Sequence, residues 1–212
     1  MVNETRFDYP VHMDKDSIIP KPLQIVEGLN LSYAAHWLTP YHLGQLLLVK
    51  TVNKDREAIL ELITQWILRG SFYLIAAGEW LPDHDDLRYS VCRYTAAMDE
   101  VLDHLTLARP FTCLQLLDLL MEADKQNKPI LILDVLHLFY DSDVDLSLRY
   151  STLEKCCQYI RRLSFSNPVA VLVPDMDIED YRRFFPFVAS IADEIIETGR
   201  HSVNEAVQGL LF

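Results

Sequence analysis

Glycine is scarce in this chain, with six among 212 residues and none between Gly44 and Gly70. A backbone cradle for phosphate needs glycines, because converging N–H groups call for left-handed torsions with no Cβ in the way. That stretch therefore offers no glycine-rich phosphate loop. Cysteine is also sparse. Cys92, Cys113, Cys156 and Cys157 have no metal-ligand spacing, and two of them are adjacent, which suits neither a disulfide framework nor a zinc site. A reduced, cytoplasmic protein is expected from this usage. No apolar run approaches the about eighteen residues of a membrane-spanning helix, and the polar start Met1-Val2-Asn3-Glu4-Thr5 is not a secretory signal. Positive charge is in deficit: 19 Lys and Arg against 31 Asp and Glu leave a net charge of −12. A field of that sign repels phosphate backbones and anionic lipid, so direct binding to nucleic acid or membrane is not expected.

What the chain has in quantity is apolar residues, 50% of the total, enough for one large domain with a full core. Residues 1–22 stand apart. Pro10, Pro20 and Pro22, with Asp14, Lys15 and Asp16 between them, read as an irregular arm that carries Phe7, Tyr9, Val11, Ile18 and Ile19. The rest, 23–212, reads as a single domain. Leu29 to Trp37 is expected to form a short helix. After Gly44, short apolar runs alternate with amphipathic stretches. Strands are expected at Gln45–Val49, Phe72–Ala77, within Asp99–Ala108, at Ile130–Val135, at Val169–Val173 and in Ala192–Thr198. Helices are expected at Asp55–Leu68, stopped by Gly70, after a capping box at Thr112-Cys113-Leu114-Gln115, after a second box at Ser151-Thr152-Leu153-Glu154, and from Asp175 onward, kinked or interrupted by Pro186. Asp83-His84-Asp85-Asp86 reads as an acidic surface loop. Strands alternating with helices of this length imply an α/β fold, a mainly parallel sheet with helices on both faces.

The central stretch is Lys128-Pro129-Ile130-Leu131-Ile132-Leu133-Asp134. An apolar run that follows a proline and ends on a carboxylate is the pattern of a strand buried on both faces. Its aspartate falls where open α/β sheets bind ligands. The order of Leu107-Ala108-Arg109-Pro110-Phe111-Thr112, a leucine-rich helix, this strand, a further helix and Ala170-Val171-Leu172-Val173 resembles the ATPase core of the RecA-like recombinases and their KaiC-like relatives, across roughly residues 44–199. The resemblance implies a three-layer RecA-like P-loop NTPase fold in which Asp134 ends the Walker B strand and holds a nucleotide's Mg²⁺.

The chain departs from that pattern where the chemistry resides. The family's first strand runs into a glycine-rich loop ending in Gly-Lys-Thr/Ser. Here Lys50-Thr51-Val52-Asn53-Lys54-Asp55-Arg56-Glu57 follows, with Arg56 and Glu57 in the places of the lysine and the hydroxyl residue. The family's water-orienting acid has only an offset counterpart in Glu79. The family's DNA-contacting loop is replaced by the acidic Pro174-Asp175-Met176-Asp177. Asp134, Glu79, Lys50 and Arg56 are thus vestigial candidates for nucleotide contact. No catalytic set, no metal site and no cofactor is expected.

Other motifs are weaker. The alternating aspartates Asp141, Asp143 and Asp145 lack the glycine and glutamate of a calcium loop. His84 among its neighbouring aspartates is too contiguous to wrap an ion. Arg161-Arg162 and Arg182-Arg183 are solvated pairs or contacts for an acidic partner. The expectation is a catalytically inactive RecA-like domain that acts through protein–protein contacts. Its partner is another copy or an ATPase relative, in a DNA-repair or signalling assembly, with Trp37, Tyr41, Trp80, Phe184, Phe185 and Phe187 as apolar contact candidates. The rivals are a divergent nucleotide-binding ATPase using Lys50, Lys54 or Arg56 with Asp134 and Glu79, and a small-molecule sensor using the strand-end crevice.

Overall fold

A computed structural model describes residues 43–51, 56–78, 81, 83–125 and 127–198. The arm at 1–22, the helix expected at Leu29–Trp37, Trp37, Tyr41, Lys54, Glu79 and Trp80 lie outside the described residues. Among the described residues six strands form one all-parallel sheet: β1 (Leu46–Thr51), β2 (Phe72–Ala76), β3 (Leu105–Ala108), β4 (Ile130–Leu133), β5 (Val169–Pro174) and β6 (Glu194–Thr198). Their order across the sheet is β3-β2-β4-β5-β1-β6. It matches neither the 3-2-1-4-5-6 order of dinucleotide-binding sheets nor the 2-1-3-4-5 order of flavodoxin-like ones. Among the described residues six α-helices flank it: α1 (Arg56–Arg69), α2 (His84–Cys92), α3 (Met98–Leu102), α4 (Cys113–Ala123), α5 (Leu146–Ser166) and α6 (Glu179–Ile191).

The period-2 alternation of the strands divides the core between two faces. Leu47, Val49, Leu74, Leu131 and Leu172 point to the face covered by α1, α2 and α3. Leu46, Leu48, Ile75, Ile132 and Val171 point to the face covered by α4, α5 and α6. Every side chain of β4 and β5 is buried, which is why these strands read as unbroken apolar runs and not as alternating ones.

Several boundaries differ from the sequence reading. β1 continues through Lys50 and Thr51, because its ladder with β5 runs on to Pro174. β4 ends at Leu133, one residue before Asp134 takes a left-handed φ of 53°. The acidic stretch at 83–86 is a helix start, since the Asp83 carboxylate accepts from Asp86 N at 2.8 Å and caps α2. Ser151 caps nothing. α5 already begins at Leu146, where the Asp145 side chain accepts from Ser147 N and Leu148 N. α6 runs unbroken through Pro186. Thr112 does cap α4, accepting from Gln115 N at 3.2 Å. Gly70, at φ 142°, ends α1 in a region closed to most side chains.

Candidate functional site at the carboxyl edge of the sheet

Ligands of open α/β sheets lie beyond the carboxyl ends of adjacent strands whose connections leave in opposite directions. This sheet has two such places. The chain leaves β2 over the α2 and α3 face but leaves β4 over the α5 face. It leaves β1 over the α1 face but leaves β5 over the α6 face.

Asp134 and Gly78 form the first place. Ala77 N donates to Leu133 O at 2.9 Å and Asp134 N donates to Leu172 O at 2.7 Å, which holds the ends of β2 and β4 side by side. Asp134 is 1% exposed. Its carboxylate presses on Gly78 so closely that a Cβ there would lie 2.3 Å from Oδ2. Position 78 therefore has to be glycine while Asp134 keeps this pose. Asp134 O accepts from His137 N at 3.0 Å, starting a 3₁₀ turn over His137–Phe139. The His137 ring comes back with Nδ1 3.9 Å from Asp134 Oδ2.

Lys50 and Asp175 form the second place. The Lys50 ammonium lies 3.3 Å from both Asp175 Oδ1 and Glu197 Oε1, and 5.6 Å above the Phe185 ring of α6. Asp175 N donates to Thr51 O at 2.7 Å and closes the end of the β1–β5 ladder. Lys50 is thus engaged on the α6 side. Arg56 lies on α1, on the opposite face, exposed and 4.0 Å from Asp86. Asp134 stands on the far side of β5 from Lys50, two strand spacings or about 10 Å away. The vestigial candidates Lys50, Arg56 and Asp134 thus stand at three separate places along the edge.

Between the two places lies a group with no motif to announce it. Arg149 is 7% exposed. Its Nη1 donates to Phe139 O at 3.0 Å and to Asp180 Oδ2 at 3.2 Å, and its guanidinium sits over the Phe184 ring. Its Nε and the hydroxyls of Tyr140 and Tyr181 are buried without a hydrogen-bond partner. Burial pushes the Tyr140 phenol up, helped by the negative charges of Asp134 and Asp180. Burial likewise raises Tyr181, with Asp175, Tyr140 and Glu197 adding to the effect. Both phenols stay protonated at neutral pH, as donors and acceptors in a field set by carboxylates. The signals in the sequence were slight: a tyrosine shortly after each of β4 and β5, and a glycine two residues after β2.

The other predicted groups are structural. Arg161 meets Asp193, Arg162 lies 3.3 Å from Asp124, and Arg182 and Arg183 meet Asp177 and Glu179, so neither arginine pair is simply solvated. Phe184 is fully buried, while Phe185 and Phe187 pack partly against the core. Asp141 and Asp145 accept backbone hydrogen bonds within their own loop. No group of three acidic, His or Cys residues among the described residues is arranged to hold a metal ion, and no helix among them is long and apolar enough to cross a membrane.

The class these features define is a three-layer α/β domain with an all-parallel sheet and an acidic, tyrosine-lined carboxyl edge. No protein-family model and no curated protein matches the chain.

Proposed function

We propose that the chain is a catalytically inactive RecA-like domain that works through protein–protein contacts, as a subunit or regulator of an ATPase in a DNA-repair or signalling assembly. The observation that carries this reading is the exposed apolar face of α4, next in sequence to a strand at the sheet edge. Among the described residues β3 pairs only with β2, so no described strand occupies its outer backbone groups, the kind of edge to which a strand can be added. On β3 itself Leu107 is 44% exposed on the α2 and α3 side of the sheet, and on the other side Phe111 before α4, and Leu114 and Met121 on it, are exposed by 74%, 51% and 47%. Leu114 and Met121 are seven residues apart and so share one face of α4. Large apolar side chains repeated along an exposed helix face are a mark of contact sites. A neighbour's arm of the composition of residues 1–22 is an occupant of fitting chemistry, and a second copy or a paralogue supplies one.

The engaged Lys50 and the distant Arg56 weigh against the hydrolase reading, because a triphosphate would have to displace Asp175 and Glu197 to reach the ammonium. The test is light scattering on the full chain, alone and with its partner from the native source, against Leu114→Asp/Met121→Asp and against deletion of 1–22. Self-association or partner binding that the double substitution abolishes supports the reading. A monomer that recovers no partner, unchanged by either alteration, overturns it. So does micromolar binding of ATP with Mg²⁺ in calorimetry that Asp134→Ala removes.

A further inference from the structure

We infer that the exposed face of α4 takes an amphipathic helix of a partner protein, with an apolar stripe along its middle and lysine or arginine on one flank. The inference rests on the reading of α4 as a contact face and names what is seated there. Leu114 and Met121 are exposed, and Leu117 between them is half-buried. Their i, i+3, i+7 spacing makes one stripe along most of Cys113–Ala123. From Leu114 to Met121 the stripe runs about 10 Å at the helical rise. Such spacing is the seam by which one helix receives another.

The two flanks of the stripe differ. At about 100° per residue, Asp124 lies to one side of Met121, and Asp118 and Glu122 lie to the other. Asp124 receives the Arg162 guanidinium and the Ser166 hydroxyl, so its flank faces α5 and is already engaged. Asp118 and Glu122 are exposed and have no ion pair among the described residues. Neither acid serves the helix that carries it. They stand four residues apart, a like-charge spacing that destabilises a helix. Glu122 also lies in the last turn of α4, where the macrodipole favours cations and none is present. The last turns of α1, α2, α5 and α6 carry no acid, and that of α1 carries Arg69. Lys125, three residues past Glu122, makes no ion pair with it. Two acids that weaken their own helix, set beside apolar side chains left in water, are local departures that a partner resolves. Its apolar side chains cover the stripe, and its cations stand beside Asp118 and Glu122. Phosphate backbones are repelled by the same acids.

Three labelled peptides test this by fluorescence anisotropy on the full chain. All carry leucines at i, i+3, i+7 spacing. One has lysines beside the stripe, one has glutamates there, and the third is the lysine peptide broken by a central proline. The lysine peptide should bind, weaken as salt is raised, and lose roughly tenfold in affinity on Asp118→Lys/Glu122→Lys, which should in turn admit the glutamate peptide. Leu114→Asp/Met121→Asp should abolish binding with the fold intact by circular dichroism. Asp118→Asn/Glu122→Gln should weaken binding yet leave the melting temperature unchanged or raised. Equal binding of the lysine and glutamate peptides overturns the proposal. So does a proline peptide that binds as tightly as the lysine one, which leaves a non-helical arm as the occupant. A melting temperature lowered by Asp118→Asn/Glu122→Gln shows that the acids serve the fold, and overturns it as well. If no peptide binds while Leu114→Asp/Met121→Asp still abolishes self-association or partner binding, the helix is wrong and the contact face stands. Association that this double substitution leaves unchanged removes the face, and the inference with it.

Discussion

At the amino edge of the sheet, Asp193 accepts from Leu46 N at 2.8 Å and meets the Arg161 guanidinium, while Asp124 receives Arg162. At the carboxyl edge, Asp134 sits in left-handed torsions against a mandatory glycine, and two buried phenols keep hydroxyls with no hydrogen-bond partner. Polar groups at the first edge hold strands and helices in register. Those at the second edge are held in a conformation that costs stability. Departures from local consistency concentrate where a fold is kept for something other than its own stability. The contrast implies that the two edges respond oppositely to the same kind of substitution.

The largest expected effect is alkaline. Burial raises Cys157 from 9.0 to about 12, and Cys156, Tyr140 and Tyr181 are raised as well. Each folded-state pKa exceeds its unfolded value, so the neutral forms favour the fold. Stability is therefore intact at neutral pH and declines as pH climbs from about 9, where the unfolded chain begins to lose protons first. Cys157 alone contributes about 4 kcal/mol over that rise. Denaturant melts at stepped pH should show the decline, and Tyr140→Phe/Tyr181→Phe should make it shallower. A flat profile would contradict the burial of these groups.

Next in size is Gly78→Ala, expected to cost about 1–3 kcal/mol because the new methyl overlaps the Asp134 carboxylate. The cost should largely vanish in an Asp134→Gly background, giving a strong coupling in a double-mutant cycle. Additive costs would mean that the contact between the two positions is not the cause. At the amino edge, Asp193→Ala should lose about 1–2 kcal/mol, since it orphans Leu46 N and releases Arg161. The smallest effect carries the opposite sign. Tyr181→Phe should leave stability unchanged or raise it by up to about 1 kcal/mol, because a buried hydroxyl without a bond is desolvated for no return. A thermal melt in which Tyr181→Phe loses as much as Asp193→Ala would erase the contrast between the edges.

The strands were legible in the sequence because a parallel strand buried on both faces leaves an unbroken aliphatic run, as in Ile130-Leu131-Ile132-Leu133. The start of α5 was not. Ser151-Thr152-Leu153-Glu154 has capping-box spacing, but Asp145 lies six residues earlier and captures the first N–H groups. α2 was hidden by its own cap, because Asp83 and the two aspartates of its first turn look like a solvated loop. Pro186 looked like a break, yet α6 tolerates it, with Tyr181 stacked on Phe185 at 5.0 Å beside it. Of the site, Asp134 was legible from its place after β4. Lys50 and Arg56 were legible only as alternatives; β1 runs two residues further than Val49, and the two lie on opposite faces of the sheet. Tyr140 and Tyr181 gave only the slight signal of their places after β4 and β5, and Arg149 gave none, since their association depends on helices brought together only in three dimensions.

The strand order has a consequence for how the chain is made. β1 lies between β5 and β6, so Leu46 pairs with Val169 and is held by Asp193, 147 residues further on. During synthesis β1 emerges with neither neighbour available, an apolar strand open on both sides until the last helix and strand have been made. Contacts this distant in sequence slow folding and prolong the exposure of aggregation-prone surface. A nascent chain halted before Val169 should cling to chaperones, and one released after Thr198 should not.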